Sequence, residues 1–215
     1  MLEDVPRPRL HDLEGTLDAV ERLVRSGGVD AVTVRAVAEE AGVSNGSIYH
    51  AFGSRAVLVA TTWLRAAREF LTLLHEVVDA DTGADPSGVV VEAALAPAYL
   101  AERRPGASAV LTAISRDEVL ALQLPTALEA DIASQQKELV GQMVRLADRV
   151  WGRRDGAAVD LVEACVVALP AALLLRGDRT GDPLARARVA AAVRALVELG
   201  PPARRGRTRT KEKKR

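Results

Sequence analysis

Between Thr33 and Arg55 the chain reads Thr-Val-Arg-Ala-Val-Ala-Glu-Glu-Ala-Gly-Val-Ser-Asn-Gly-Ser-Ile-Tyr-His-Ala-Phe-Gly-Ser-Arg. Few folds accept that order of residues. Thr33 is a good N-cap, because its hydroxyl can accept from an otherwise orphan backbone N–H. Val34, Val37, Ala38 and Ala41 then recur at spacings of three and four, which places them on one helical face. Ala38 is small where a second helix would cross closely. Gly42 suits a chain leaving a helix through positive φ. Val43 plugs the corner, Ser44 caps the next helix, and Ile48 with Ala51 or Phe52 returns to the core. The spacing therefore predicts two short helices crossing steeply around a tight turn.

The second of these helices exposes Asn45, Gly46, Ser47, Tyr49 and His50. From Ser44 to Phe52 it spans roughly 12 Å at 1.5 Å per residue, about the width of a DNA major groove. Gly46 lets a backbone approach DNA closely. Ser44, Asn45 and Ser47 can reach phosphates or base edges, and Tyr49 and His50 can reach phosphate oxygens. Arg55 follows a new cap, Ser54, so a cation and free N–H groups sit together at a helix N-terminus, an arrangement that attracts phosphate. Blander readings compete. Asn45-Gly46 is a hairpin dipeptide, but its flanks lack period-two alternation. Asn45-Gly46-Ser47 is formally a glycosylation sequon, but no secretory signal precedes it. An ordinary helical hairpin accounts for the turn but not for the combined caps, small crossing residue and apolar corner.

The segment resembles the TetR family of bacterial regulators. Their pattern is close to Thr-x-x-x-Ile/Val-Ala-x-x-Ala-Gly-Val-Ser-x-Gly-x-Ile/Leu-Tyr-x-His/Tyr-Phe-x-Ser-Lys, and Thr33 to Ser54 match it with little departure, Ala51 occupying a position where the family varies. Arg55 replaces the usual lysine, which keeps the charge and changes the donor geometry. The resemblance covers residues 9–69 and implies DNA contact by Thr33, Arg35, Ser44, Asn45, Ser47, Tyr49, His50 and Arg55. It also implies a supporting helix. Residues 11–26 supply one, with Leu13, Leu17, Val20, Leu23 and Val24 on one side and Gly27-Gly28 at its end. Val24 stands where the family usually has an aromatic residue.

Composition narrows the class. Hydrophobic residues make up 48% of the 215, but aromatics only 3%. The core must be built of Ala, Val and Leu, which favours helices. A lone cysteine, Cys165, excludes an internal disulfide framework, and its apolar surroundings mark it as a small buried hydrophobe. The only histidines are His11, His50 and His75, and neither a phosphate-binding glycine loop nor metal-ligand spacing occurs. An enzyme, a cofactor or a metal is not expected. Met1–Pro8 lack an apolar signal region, and the longest apolar run, Ala164 to Leu175, is shorter than the roughly 20 residues of a membrane span. A soluble, cytoplasmic protein without a membrane partner is the expectation.

The net charge of zero is unevenly spread. Residues 1–60 carry six Arg against nine Asp or Glu, net −3, unusual for a DNA-binding domain. Asp12, Glu14, Asp18 and Glu21 belong to the first helix, where they can face away from DNA. Residues 203–215 carry eight Arg or Lys and one Glu, net +7. That block reads as a disordered solubilising tail or as a source of non-specific DNA attraction.

The rest of the chain reads as helices. One runs from Ser54 to about Val78 with a broad apolar stripe. Asp79 to Ser87 is a loop, and Asp85-Pro86 starts a helix to about Arg103 containing Pro97. A shorter helix follows over Pro105–Ser115, a long one over Thr126–Val150, and two more over Ala157–Leu175 and Pro183–Leu199. The expected architecture is all-α, with a three-helix helix-turn-helix domain over 9–69, a helical effector-binding and dimerisation domain over 70–202, and a basic tail over 203–215. The penultimate helix is apolar almost all round and needs a cover. The resemblance implies a homodimer through the last two helices, which would set two reading helices on a palindromic double-stranded DNA operator. It also implies a small-molecule site among the middle helices. Trp63, Phe70, His75, Tyr99 and Met143 are candidates for its lining, and their few polar anchors suit a mostly apolar ligand. The expected function is a dimeric repressor released by such a ligand; the alternative is a DNA-binding dimer regulated without an inducer.

Overall fold

A computed structural model describes residues 10–80 and 85–203, and every regular element among them is helical. Helix α1 covers Leu10–Gly27, and a 3-10 turn, Val29–Ala31, leads to α2 (Val34–Ala41) and α3 (Asn45–Phe52). Helix α4 (Arg55–Ala80) leaves this head and runs into the body. The body comprises α5 (Pro86–Arg103), α6 (Pro105–Ala113), α7 (Arg116–Leu120), α8 (Thr126–Trp151), α9 and α10 (Pro183–Leu199). Helix α9 starts as Gly156–Glu163 and continues in π turns over Ala164–Ala168 and Ala171–Leu175. The expected all-α architecture is what the chain adopts. The 204–215 part of the basic tail lies outside the described residues.

Local chemistry explains most boundaries. Thr33 Oγ1 accepts from Ala36 N at 3.1 Å, and Ser44 Oγ accepts from Ser47 N at 3.0 Å. Both are N-caps at helices that start where the sequence places them. Gly42 closes α2 in the left-handed region (φ 68°, ψ 28°), and Val43 N then donates to Ala38 O at 3.0 Å. Asp85 caps α5 by accepting from Ser87 N at 3.0 Å, with Pro86 in the first turn.

One element differs from the sequence reading. Helix α7 stands between Leu111's helix and α8, where no helix is expected. Ser115 and Glu118 form a reciprocal capping box that starts it. In α9, Pro170 lies inside the helix, which runs on to Leu175 as the sequence reading has it. Proline has no N–H to give a carbonyl four residues back, and the wider π pattern around it, with Arg176 N donating to Ala171 O at 3.0 Å, accommodates the break.

Two apolar clusters share α4. One joins α1–α3 and the first half of α4 to α6, α7 and the start of α8, and includes Val20, Val37, Ile48, Leu58 and Val110. The other joins the second half of α4 to α5 and α8–α10 through Leu74, Val90, Leu146 and Val189. Val24 is buried in the first cluster despite its small size. Between Ala51 and Phe52, it is Phe52 that packs inward, while Ala51 is exposed.

Candidate nucleic-acid interface and effector cavity

Helix α3 turns Ile48 into the core and leaves everything a DNA groove would meet on the outside. Ser44, Asn45, Gly46, Ser47, Tyr49 and His50 are all exposed, as are Thr33, Arg35 and Arg55. Tyr49 is 56% exposed, unusual for an aromatic side chain unless a partner uses it. At Gly46 an added Cβ would meet only Ser44 Oγ, at 3.6 Å, so packing within the head does not demand glycine there. The Ser44 and Ser47 hydroxyls lie 2.9 Å apart and hold each other in place at the start of the reading helix.

Arg55 has a second task that its sequence position does not reveal. Its Nε donates to Val32 O and its Nη2 donates to Val29 O at 2.9 Å. The guanidinium therefore clamps the first turn of α4 to the link between α1 and α2. Ser54 caps α4 beside it, accepting from Val57 N at 3.2 Å.

Glu14, Asp18 and Glu21 of α1 are turned to α4 and α6. Arg65 on α4 pairs with Glu14 at 2.8 Å, Asp18 at 2.8 Å and Glu21 at 2.6 Å, three acids spaced along one face of α1. Burial works against the Arg65 charge, but the hydrogen bonds from Glu14 and Glu21 prevail and raise its pKa. Arg104, between α5 and α6, reaches Glu69 at 2.9 Å and Glu21 at 3.8 Å. Burial pushes the Glu69 carboxyl above its usual range, against the pull of Arg104. Three acids of the head are thus spent on ion pairs with the body's side of the molecule.

The five candidate ligand contacts divide. Trp63, Phe70 and Met143 line one cavity of about 540 Å³ between α4, α6, α8 and α9, with Leu111, Leu139 and Val167. Arg116, Gln135, Gln136, Asp160 and Glu163 supply its polar wall. A smaller chamber of about 160 Å³ shares Phe70, Leu111, Leu139 and Val167 and extends to Pro97 and Pro170. His75 and Tyr99 line neither. On α4, His75 is twelve residues beyond Trp63, which rotates it by about 120° from the cavity face, whereas Phe70 at seven residues stays on that face. The His75 Nε2 instead contacts Gln142 Nε2. Tyr99 Oη donates to Glu92 at 2.6 Å; burial and that carboxylate push its pKa to about 12. Trp63 Nε1 is held by Ile114 O at 3.0 Å. The glutamines and Val167 carried no sequence signal, because such residues line solvated faces and cores everywhere. Cys165 is fully buried and its thiol is pushed up to about 11 by that burial, which keeps it protonated and inert.

Residues 17–62, the reading head and the start of α4, match the family model described as bacterial regulatory proteins, tetR family. Over those residues the chain carries a tetR-family head. Solved structures share its fold over most of their length. A TetR-like transcriptional regulator from Rhodococcus sp. RHA1 is 18% identical, with a TM-score of 0.62 over 91% of this chain and 97% of that one. A TetR-family regulator from Streptomyces coelicolor is 19% identical, TM-score 0.61, over 88% and 99%. The regulator FadR from Bacillus subtilis, solved in complex with stearoyl-CoA, is 14% identical, TM-score 0.63, over 86% and 96%. No curated protein matches the sequence. A tetR-family head with a helix-turn-helix supports DNA binding and a role in transcription regulation.

Proposed function

We propose that this regulator is a dimeric repressor that holds a palindromic operator and is released by a small, mostly apolar ligand. The observation that carries the release step is the cavity beside Trp63, Phe70 and Met143, which is walled by α4, the helix that also carries the reading head. Its volume lies in the range of small-molecule sites, and its wall is largely apolar with a few polar groups at one side. FadR, similar in fold, holds stearoyl-CoA, and a long apolar chain suits the two neighbouring chambers here, which share Phe70, Leu111, Leu139 and Val167. Thr33, Arg35, Ser44, Asn45, Ser47, Tyr49 and His50 are the proposed DNA contacts, with Gly46 as the point of close approach. Arg55 retains a role beside phosphate through its exposed charge.

The dimer reading rests on α9 and α10. Gly156–Leu175 is apolar enough by length and composition to cross a membrane, with mean hydropathy 2.2, yet only 33% of that stretch is buried. Ala168, Ala171 and Ala172 on α9 and Ala187, Ala191 and Ala195 on α10 are exposed. Small side chains at these positions let a second copy approach closely.

Selection of bound fragments from genomic DNA tests the reading. A palindromic site bound by two chains is the expected result, and failure to enrich any sequence would sink the DNA-reading claim. Thermal-shift screening of apolar compounds then tests release. A compound that raises Tm and frees the selected duplex supports it; a screen without one favours the dimer regulated without an inducer.

A further inference from the structure

Among the described residues Glu21 is the one charged side chain that is buried, 5% exposed. Burying a carboxylate is costly, and an apolar residue of the same volume often stabilises a fold equally well. What Glu21 touches gives it a use. It stands on α1, in the reading head, and its Oε1 accepts from Arg65 Nη2 at 2.6 Å. Its other side is covered by the first turn of α6. A Cβ built on Gly106 would lie 2.6 Å from Glu21 Oε2 and 2.8 Å from Glu21 Cβ, so α6 seats on this side chain with no room for even a methyl group. Helix α6 has no side-chain N-cap of its own and starts with Pro105. Its free N–H end and dipole favour a negative charge at that point. Further along the same helix, Ser108, Leu111 and Thr112 line the smaller chamber, and Leu111 also lines the larger one. One nine-residue helix thus touches the cavity with its side and the reading head with its end.

We propose that Glu21 is a positioning residue through which α6 sets the angle of the reading head, so that a displacement of α6 moves α1 and with it α2 and α3. The inference rests on the dimer and ligand reading above, because tilting a head matters when two heads must match two half-sites about one helical turn apart. Helix α1 is tied to the rest of the head: Arg22 on α1 pairs with Glu40 on α2 at 2.5 Å, and Val20, Val37 and Ile48 pack α1, α2 and α3 into one apolar cluster.

The test uses the full chain and the duplex selected from genomic DNA. Gly106→Ala raises helix propensity at a site remote from DNA. It is nevertheless expected to weaken duplex binding by roughly tenfold, an ordinary coupling between sites, while the dimer mass stays as in the wild type. In a Glu21→Ala background the added methyl should cost less affinity, because Oε2 is gone. Glu21→Gln keeps the shape and removes the charge. It should weaken binding to a similar degree and speed amide exchange in α1 and the first turn of α6, leaving α5 protected. Arg68→Ala, which breaks an exposed pair with Asp131, should change neither. Wild-type affinity in Gly106→Ala, or a folded Glu21→Gln that loses Tm but no affinity, overturns the proposal; should Gly106→Ala fail to fold, Glu21→Gln decides alone. A wild-type complex containing one chain by light scattering would sink the underlying dimer reading, whereas a two-chain complex indifferent to both variants sinks this inference only.

Discussion

Arg55 shows how a residue can be placed correctly and still be incompletely read. Its position after the Ser54 cap suggests a phosphate contact, but the fold gives two of its nitrogens to the carbonyls of Val29 and Val32. A lysine keeps the charge and cannot span both carbonyls as the planar fork does. Arg55→Lys should therefore cost about 1 kcal/mol, the net worth of a typical hydrogen bond, and lower Tm by about 2–4 °C in a chain of this size. Duplex affinity should stay within about twofold of wild type, well under 1 kcal/mol. Unchanged Tm with a large loss of affinity would show that Arg55 spends its guanidinium on DNA instead. Glu69 makes a second case. Burial raises its folded pKa, so the native state favours the protonated form. That contribution is fully present below the unfolded value and is lost as pH rises through the folded pKa. Glu69→Gln should raise Tm at pH 7 by about 1–2 °C, a small gain because the side chain is still 23% exposed and the lost attraction to Arg104 offsets part of it. The gain should shrink toward pH 4, and an equal gain at both pH values in paired thermal melts would refute the assignment. The caps at Thr33 and Ser44 and the turn at Gly42 were legible because each acts on its own next four residues. The Arg65 and Arg55 networks were not, since their partners lie 44 and 26 residues away in sequence.

At the scale of elements, periodicity located the long helices because a buried stripe must repeat about every 3.6 residues. It could not locate α7, whose five residues are too short to show a period. The Ser115-x-x-Glu118 spacing was the available sign, and it is a capping signature. Periodicity also could not tell which helical face meets a cavity and which meets another helix. Trp63 and Phe70 share the cavity face of α4, while His75 does not. The same ambiguity surrounds α9 and α10: an apolar helix must be covered, but the cover is not written in its own residues. The exposed alanines make the dimer reading testable there. Ala191 is exposed in the single chain, so Ala191→Glu should fold with Tm within a few degrees of wild type and present a charge to the proposed second copy. Loss of the dimer by light scattering is expected. Duplex affinity should fall by about 100-fold or more, since a linked pair of sites gains 10²–10⁴ over one. A variant that remains dimeric would move the interface off α10.

The whole molecule decides what the basic tail can do. Arg149 donates to Val78 O at the far end of α4, Trp151 Nε1 to Val197 O at the end of α10, and Arg153 to Pro201 O and Pro202 O. The C-terminal end of α10 is therefore fixed beside the end of α4 that is remote from the head. The 26 residues of α4 separate that point from Arg55 by about 39 Å, and α3 lies beyond. Twelve residues follow Ala203. Any twelve residues span at most about 40 Å at complete extension. Charge alone makes this tail look like a DNA anchor, but its point of attachment argues against that for DNA held by α3. Truncation after Pro202 should leave duplex affinity within about twofold, far less than the loss of even one 1.4 kcal/mol contact. The slope of log affinity against log salt should change by less than about one, because each phosphate neutralised contributes about 0.9. A truncated chain with several-fold weaker binding and a clearly shallower slope would mean that the tail does reach the duplex. DNA would then have to bend toward the body, and the head would not be the sole contact.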